Sequence, residues 1–278
     1  MRLERVWSVV VAVAVITTAS GADAQSTILQ IRPHPGDTLR MRLDQESEMT
    51  GVRTLVNGES SAMVLSSMQM FSRAIVEGTS DKGTTVLAVT DSVLLSTTDD
   101  RTQMAAERAA AQLRGQRMEF RVAPDGTVGM IQSGEHTPRE IAQVVALMPA
   151  AFPTNKIRVG ESWVRDMPLP AGMQLGAQVS GKLHMTFRFD SLTHHGTLAY
   201  VSLRGEMQPA TGPGASDAGL EKGFVNGTML VDQKRGWLTE SWFNIVVSST
   251  VTPAPSTGIV STRMQMRITQ HMHTYDRR

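Results

Sequence analysis

No cysteine occurs in the 278 residues. That excludes disulfides, thiol catalysis, cysteine-built zinc or iron–sulfur centres, and lipid attachment at a cysteine behind a leader. A chain of this length buries enough apolar surface to fold without covalent staples. Aromatic residues are few, at 5%, which argues against a sugar-stacking platform. Neither sign of charge dominates: 27 basic and 26 acidic residues leave a formal +1. With no basic block or stripe, nucleic acid is not an expected partner. After the N-terminus, no stretch approaches the roughly 18 apolar residues of a membrane helix, so no transmembrane segment is expected once the leader is removed. The chain also lacks G-x-S-x-G, H-E-x-x-H, S-x-x-K, the P-loop and G-x-G-x-x-G. No cofactor is implied, and an enzyme would need residues dispersed along the chain, as triads can be.

What is abundant is methionine, at 18 residues. Together with Val, Leu and Ala it must supply much of the interior. The start reads as a leader: Arg2 and Arg5, a short apolar core from Val9 to Ile16, then Ala22-Asp23-Ala24. Cleavage is expected after Ala24, leaving about 254 residues. The leader carries two residues of each sign (Arg2, Arg5, Glu4, Asp23), so the net charge is unchanged. The mature chain is expected to be soluble and exported, to a periplasm or beyond.

Period-two alternation dominates the remainder. Ser26 to Arg32 suggests a first short strand. Leu39, Met41 and Leu43 alternate with Arg40, Arg42 and Asp44. Asn57-Gly58 signals a hairpin. Ala62 to Glu77 and Thr84 to Ser96 read as strands around a turn at Gly78 to Gly83. Met118, Phe120 and Val122 alternate with charged residues before the Pro124-Asp125-Gly126 turn, and Thr127 to Gln132 returns. Leu183, Met185, Phe187 and Phe189 form another inward row, followed by a turn at Thr193 to Gly196 and by Ala199, Val201 and Leu203. Gln208 to Asp217 has loop composition. The best-defined unit is a hairpin from Gly223 to Val247, closed by Asp232 to Gly236: aspartate bonds turn amides and glycine accepts positive φ. On its second arm Trp237, Phe243, Ile245 and Val247 are expected inward. A last strand, Thr262 to His273, places Met264, Met266, Ile268 and Met272 on one face.

Two segments read as helices. Asp99 to Arg114 is alanine-rich and ends at Gly115. Thr137-Pro138-Arg139-Glu140 is a capping box, followed by Ile141, Val144, Val145 and Met148 on one helical face. From Val159 the pattern restarts: Gly160-Glu161-Ser162-Trp163 echoes Gly36-Asp37-Thr38-Leu39. The expected architecture is mainly β, at the border of all-β and α+β. Antiparallel strands form an open or rolled barrel-like sheet with two short helices and an internal two-fold repeat. Residues 1–24 are the leader; 25–153 and 154–278 are two β-rich repeats of one structural domain.

The stretches GDTLRMRLDQESEM, RVAPDGTV, RVGESWVRDMPLP and GTMLVDQKRGWLTES carry a resemblance. Through them the whole mature chain resembles an uncharacterised family of exported bacterial β-rich proteins. That family has no established activity, so the resemblance implies no functional residues. More loosely, the proportions are similar to periplasmic lipoprotein-carrier half-barrels, which hold acyl chains in an apolar concavity under helices. That similarity is architectural, and fold does not fix function.

Polar candidates are weighed against plainer roles. His194-His195 fall at a turn, and His271 and His273 share a strand face and could reach one metal. Arg263 and Arg267 on the same face favour solvated positions, and no metal is assigned. Met68/Met70 and Met264/Met266 have the softness copper prefers, but on strands they face inward as adaptable filler. Asp44, Glu46 and Glu48 make an acidic row without a placed partner, and Asp99-Asp100 suit a helix start. Tyr200 and Trp242 fall on polar faces and mark an exposed aromatic surface or a helix-covered one. The leading reading is a non-enzymatic exported protein holding a lipid or other hydrophobic small molecule in a β-concavity. Leu183, Met185, Phe187, Phe189, Trp237, Phe243, Met264, Met266 and Ile268 are the expected lining. The alternatives are a module docking a cell-envelope protein, and a hydrolase with dispersed residues.

Overall fold

The computed structural model describes residues 26–55, 57–133, 151–168, 181–209, 220–251 and 259–275. Their elements are β1 (Ser26–Thr27), β2 (Thr38–Leu55), β3 (Gly58–Ser80), β4 (Gly83–Thr97), α1 (Asp100–Leu113), β5 (Arg117–Val122), β6 (Val128–Ser133), β7 (Ile157–Arg158), β8 (Ser162–Pro168), β9 (Gly181–Thr193), β10 (Leu198–Pro209), β11 (Leu220–Asp232), β12 (Trp237–Val251) and β13 (Ile259–Tyr275). Eleven strands make one antiparallel sheet in the order β6-β5-β4-β3-β2-β13-β12-β11-β10-β9-β8; β1 and β7 pair separately. The sheet is mainly β as expected and is not closed into a barrel. The seam between β2 and β13 joins the N-terminal strands to the C-terminal ones.

Turn chemistry places the hairpins. Asp232 Oδ1 accepts from the Lys234 and Arg235 amides at 2.9 and 3.0 Å, and Gly236 closes the turn at φ +62. Asp125 Oδ1 accepts from the Thr127 amide at 2.9 Å. Leu55 pairs with Gly58 across the Asn57-Gly58 hairpin. His194 and His195 both take positive φ, at 49 and 57, in the turn before β10. Asp99 caps α1 by accepting from the Arg101 amide, and Gly115 follows at φ +76. The helix packs on β4.

Two expectations change. The first strand stops at Thr27 rather than Arg32. Beyond it the Ile31 and Arg32 amides bond to turn carbonyls of Pro124 and Gly236, at 2.9 and 2.7 Å, instead of a strand ladder. The turn expected from Gly78 to Gly83 shrinks to two residues, because β3 continues through a bulge beside Gly78 to Ser80. Of the two expected helices, α1 is present, and Pro138–Met148 lies outside the described residues.

One face of the sheet is buried. Val76 and Val86 on β3 and β4, Val122 on β5, and Phe187, Phe189, Val201 and Val231 on the opposite flank share a single core cluster. Strands so far apart in sheet order meet only if the sheet curls toward that face. Leu29, Ile31, Phe152 and Ile157, from the irregular segments 28–37 and 151–156 and from β7, fill the base of the curl. Trp163 Nε1 donates to the Ala151 carbonyl at 2.7 Å, and an Arg165 guanidinium nitrogen donates to that of Phe152 at 3.0 Å.

The Gly236 contact is the sharpest test of this base. A Cβ there would meet the Arg32 carbonyl, and its φ is left-handed. Gly236→Ala should therefore destabilise the fold by at least about 1–2 kcal/mol, the cost of the left-handed conformation alone. It should also speed hydrogen exchange at the Arg32 amide relative to the β2 amides.

Candidate functional site

Strand register sorts the inner face into cross-strand rows, spaced about 7 Å along the strands. Below the far rim, Ser249, Met264, Gly51 and Ala62 stand side by side. The next row is Val247, Met266, Met49 and Val64; after it come Ile245, Ile268, Ser47, Ser66 and Thr97. Phe243, Gln270, Gln45, Met68 and Leu95 follow, then Ser241, Met272, Leu43, Met70 and Val93. Six methionines fall in this patch because period-two alternation keeps every second residue of β2, β3 and β13 on one side.

Burial divides the expected lining in two. Leu183, Met185, Phe187 and Phe189 are sealed in the core, at 9, 3, 3 and 0% exposure. The Phe187 ring stacks on Trp163 with centroids 5.4 Å apart. Met264, Met266, Ile268 and Phe243 are only half-buried, as are Met68, Met70 and Val64, while Met49 is 37% exposed. The flank at β9 to β11 is thus solid, whereas the central strands expose an apolar inner surface. Phe243 lies against Gly227, where a Cβ would meet its ring and the Trp242 carbonyl.

Trp237 is placed differently from its strand-mates. A bulge between Leu238 and Glu240 shifts the alternation, so Leu238 stands opposite buried Val231 and Trp237 opposite Asp232. Both still pack against the core cluster. Tyr200 and Trp242 are on the outer face, 40 and 41% exposed. Trp242 stands between Thr228 and His271.

On β2, β12 and β13 the charges other than Arg53 lie outside. Arg42 grips Asp44 with two bonds of 2.8 and 2.9 Å, and Gln69 adds a third at 3.0 Å. The Arg42 bonds hold the Asp44 carboxyl below the usual carboxylate range. His271 Nε2 lies 2.9 Å from Glu240 Oε1. Register thus supplies the acidic neighbours that the sequence of β13 lacks: Glu240 opposite His273, and Asp44 opposite His271. Among the described residues, no group of three or more His, Asp or Glu could hold a metal ion. Met68/Met70 and Met264/Met266 occupy inner rows, as their alternation indicated. A small cleft of about 250 Å³ opens near Arg32, Asp81 and Pro124, lined by none of the residues of these rows. No helix among the described residues is long and apolar enough to cross a membrane.

No family model matches the chain. No curated protein matches it in sequence. Among solved structures, lipovitellin, from work on its lipid–protein interactions, aligns with TM-score 0.53 and 11% identity over 87% of this chain. The likeness is one of fold, and the chain spans only 25% of that protein. An outer membrane channel from Pseudomonas putida F1 aligns at TM-score 0.22 with 8% identity, over 88% of this chain and 98% of the channel. A Vibrio parahaemolyticus domain assigned to outer membrane lipoprotein sorting aligns at 0.16 with 11% identity, over 84% and 83%.

Edge strand β8 is held by a second outer cluster, which yields a pH test. Lys182 and His184 bond the two Asp166 oxygens at 2.8 and 2.6 Å. The Lys182 bond first, then that of His184, lowers the Asp166 pKa. A lowered folded pKa gives stability that is present above the unfolded value of about 3.9 and lost as pH falls through the folded one. Asp166→Asn should therefore lower Tm slightly at pH 6, and the gap to wild type should narrow as pH falls below about 3.9. A gap that does not narrow with acid would mean that packing, not charge, carries the contact.

Proposed function

We propose that this is an exported, non-enzymatic binding protein that holds an apolar or amphiphilic, lipid-like ligand against its concave inner face. The observation that carries the proposal is the half-buried, methionine-rich surface of β2, β3, β12 and β13, continuous with a core that is solid elsewhere. Methionine is flexible and polarizable, and it adapts to ligands of irregular shape. Met264, Met266, Ile268 and Phe243 would touch the ligand, while Leu183, Met185, Phe187 and Phe189 form the rigid floor beside it. Export is read from the leader pattern at residues 1–24. Lipovitellin, a protein with lipid–protein interactions, shares the fold of this chain and agrees with this reading.

A second reading, docking of an envelope protein, is favoured by Trp242, a large aromatic half-exposed on the outer face, which also exposes Tyr200 and Phe224. It concerns the outer face and is compatible with ligand on the inner one.

Native mass spectrometry tests the first reading. The protein is purified from an exporting host without detergent. A discrete added mass that disappears on organic extraction is expected. A clean apo mass that does not shift when lipids are added would overturn it.

A further inference from the structure

We infer that the ligand is an uncharged amphiphile bearing ester or hydroxyl groups, of the acylglycerol class, whose polar part meets a belt of neutral side chains midway along the inner face. The inference rests on the reading that this face holds an amphiphile, and adds the chemistry of the polar part.

The belt is two rows deep. Gln45 stands opposite Gln270, and Ser47 opposite Ser66. Ser66 Oγ in turn donates to Thr97 Oγ1 at 3.3 Å. On β2, β3 and β13 apolar residues bound the belt on each side, Met49, Val64 and Met266 toward the rim and Leu43, Met70 and Met272 toward the base. On β12 the base row holds buried Ser241, and Phe243, Ile245, Ile268, Met68 and Leu95 flank the polar groups within the belt. Apolar, polar, apolar along the strand direction matches a molecule with a neutral linkage between hydrocarbon portions. Carboxamides and hydroxyls donate to an ester carbonyl and accept from a glycerol hydroxyl. A pure hydrocarbon would offer the Gln45 and Gln270 carboxamides no polar partner in an apolar setting.

Charge is segregated away from the belt. On β2, β3, β4, β12 and β13, register leaves Arg53, in the rim row opposite Thr262 and Ser60, as the charged inward residue among those described. It lies six residues along the strand from Ser47, about 20 Å at strand rise. The inward Arg165 of β8, opposite buried Met185, is committed to the Phe152 carbonyl, so a carboxylate or phosphate placed at the belt would lose its hydration with no cation on these five strands beside it.

The test uses the full mature chain after organic extraction, loaded with the uncharged dye Nile red at pH 8. Mono-oleoylglycerol, oleate and octadecene compete for the dye. Mono-oleoylglycerol is expected to displace it at a concentration at least about tenfold below oleate and octadecene, one tenfold step being a single well-placed polar interaction. In Gln45→Leu/Gln270→Leu that advantage over octadecene should fall below about threefold, with octadecene itself undiminished. Ser66→Lys, which places a cation in the belt, should shift the preference toward oleate. Displacement led by oleate in the wild type would overturn this inference and leave the amphiphile reading standing. Displacement led by octadecene would make the belt irrelevant. No displacement by any of the three would overturn both readings.

Discussion

Two backbone hydrogen bonds hold the architecture in its curled form. Ile31 donates to the Pro124 carbonyl in the β5–β6 turn, and Arg32 donates to the Gly236 carbonyl in the β11–β12 turn. Those turns belong to opposite flanks of the eleven-stranded sheet. A short irregular segment thus ties the flanks together, and its own Leu29 and Ile31 enter the core between them. Phe152 repeats the device, its amide bonding the Asp125 carbonyl at 2.9 Å while its ring is buried. An open sheet this wide must hide one face, and here it does so by rolling over these segments rather than by joining its edges.

The roll also explains why the inner face is half solid and half open. Near the base, plug segments and strands converge, and Leu39, Ala74, Val76 and Val86 are buried. β2, β3 and β13 are 18, 23 and 17 residues long, against 12 and 13 for β10 and β11. Their far portions therefore run past the plug, and their inward methionines have fewer neighbours to pack on. The same strand length that creates apolar surface leaves it incompletely covered. That is a poor device for stability alone and a suitable one for receiving a ligand.

Much of this was legible in the chain. Period-two alternation marked each long strand, and Asp–Gly and Asn–Gly chemistry marked the turns. Asp99 and Gly115 bounded α1. Less legible was which inward residues would be sealed. Leu183 to Phe189 and Met264 to Ile268 carry the same alternation, and only the position of each strand relative to the plug separates core from open surface. Register was hidden too. The Glu240–His271 contact and the Gln45–Gln270 belt join residues 31 and 225 positions apart, and no local pattern announces such partners. The bulge that turns Trp237 away from the Phe243 face is a one-residue shift without a glycine to mark it.

Methionine oxidation footprinting tests the central claim, that the inner face is open along the central strands and sealed along the flank. Protein as isolated and protein after organic extraction are exposed briefly to dilute peroxide, and sulfoxide at each methionine is read by mass spectrometry. After extraction, Met49, Met264 and Met266 should oxidise readily while Met185 and Met229, 3 and 6% exposed, resist; before extraction all five should resist. If Met264 and Met266 resist as strongly as Met185 after extraction, the inner face is sealed throughout and the account of a ligand-receiving surface is wrong.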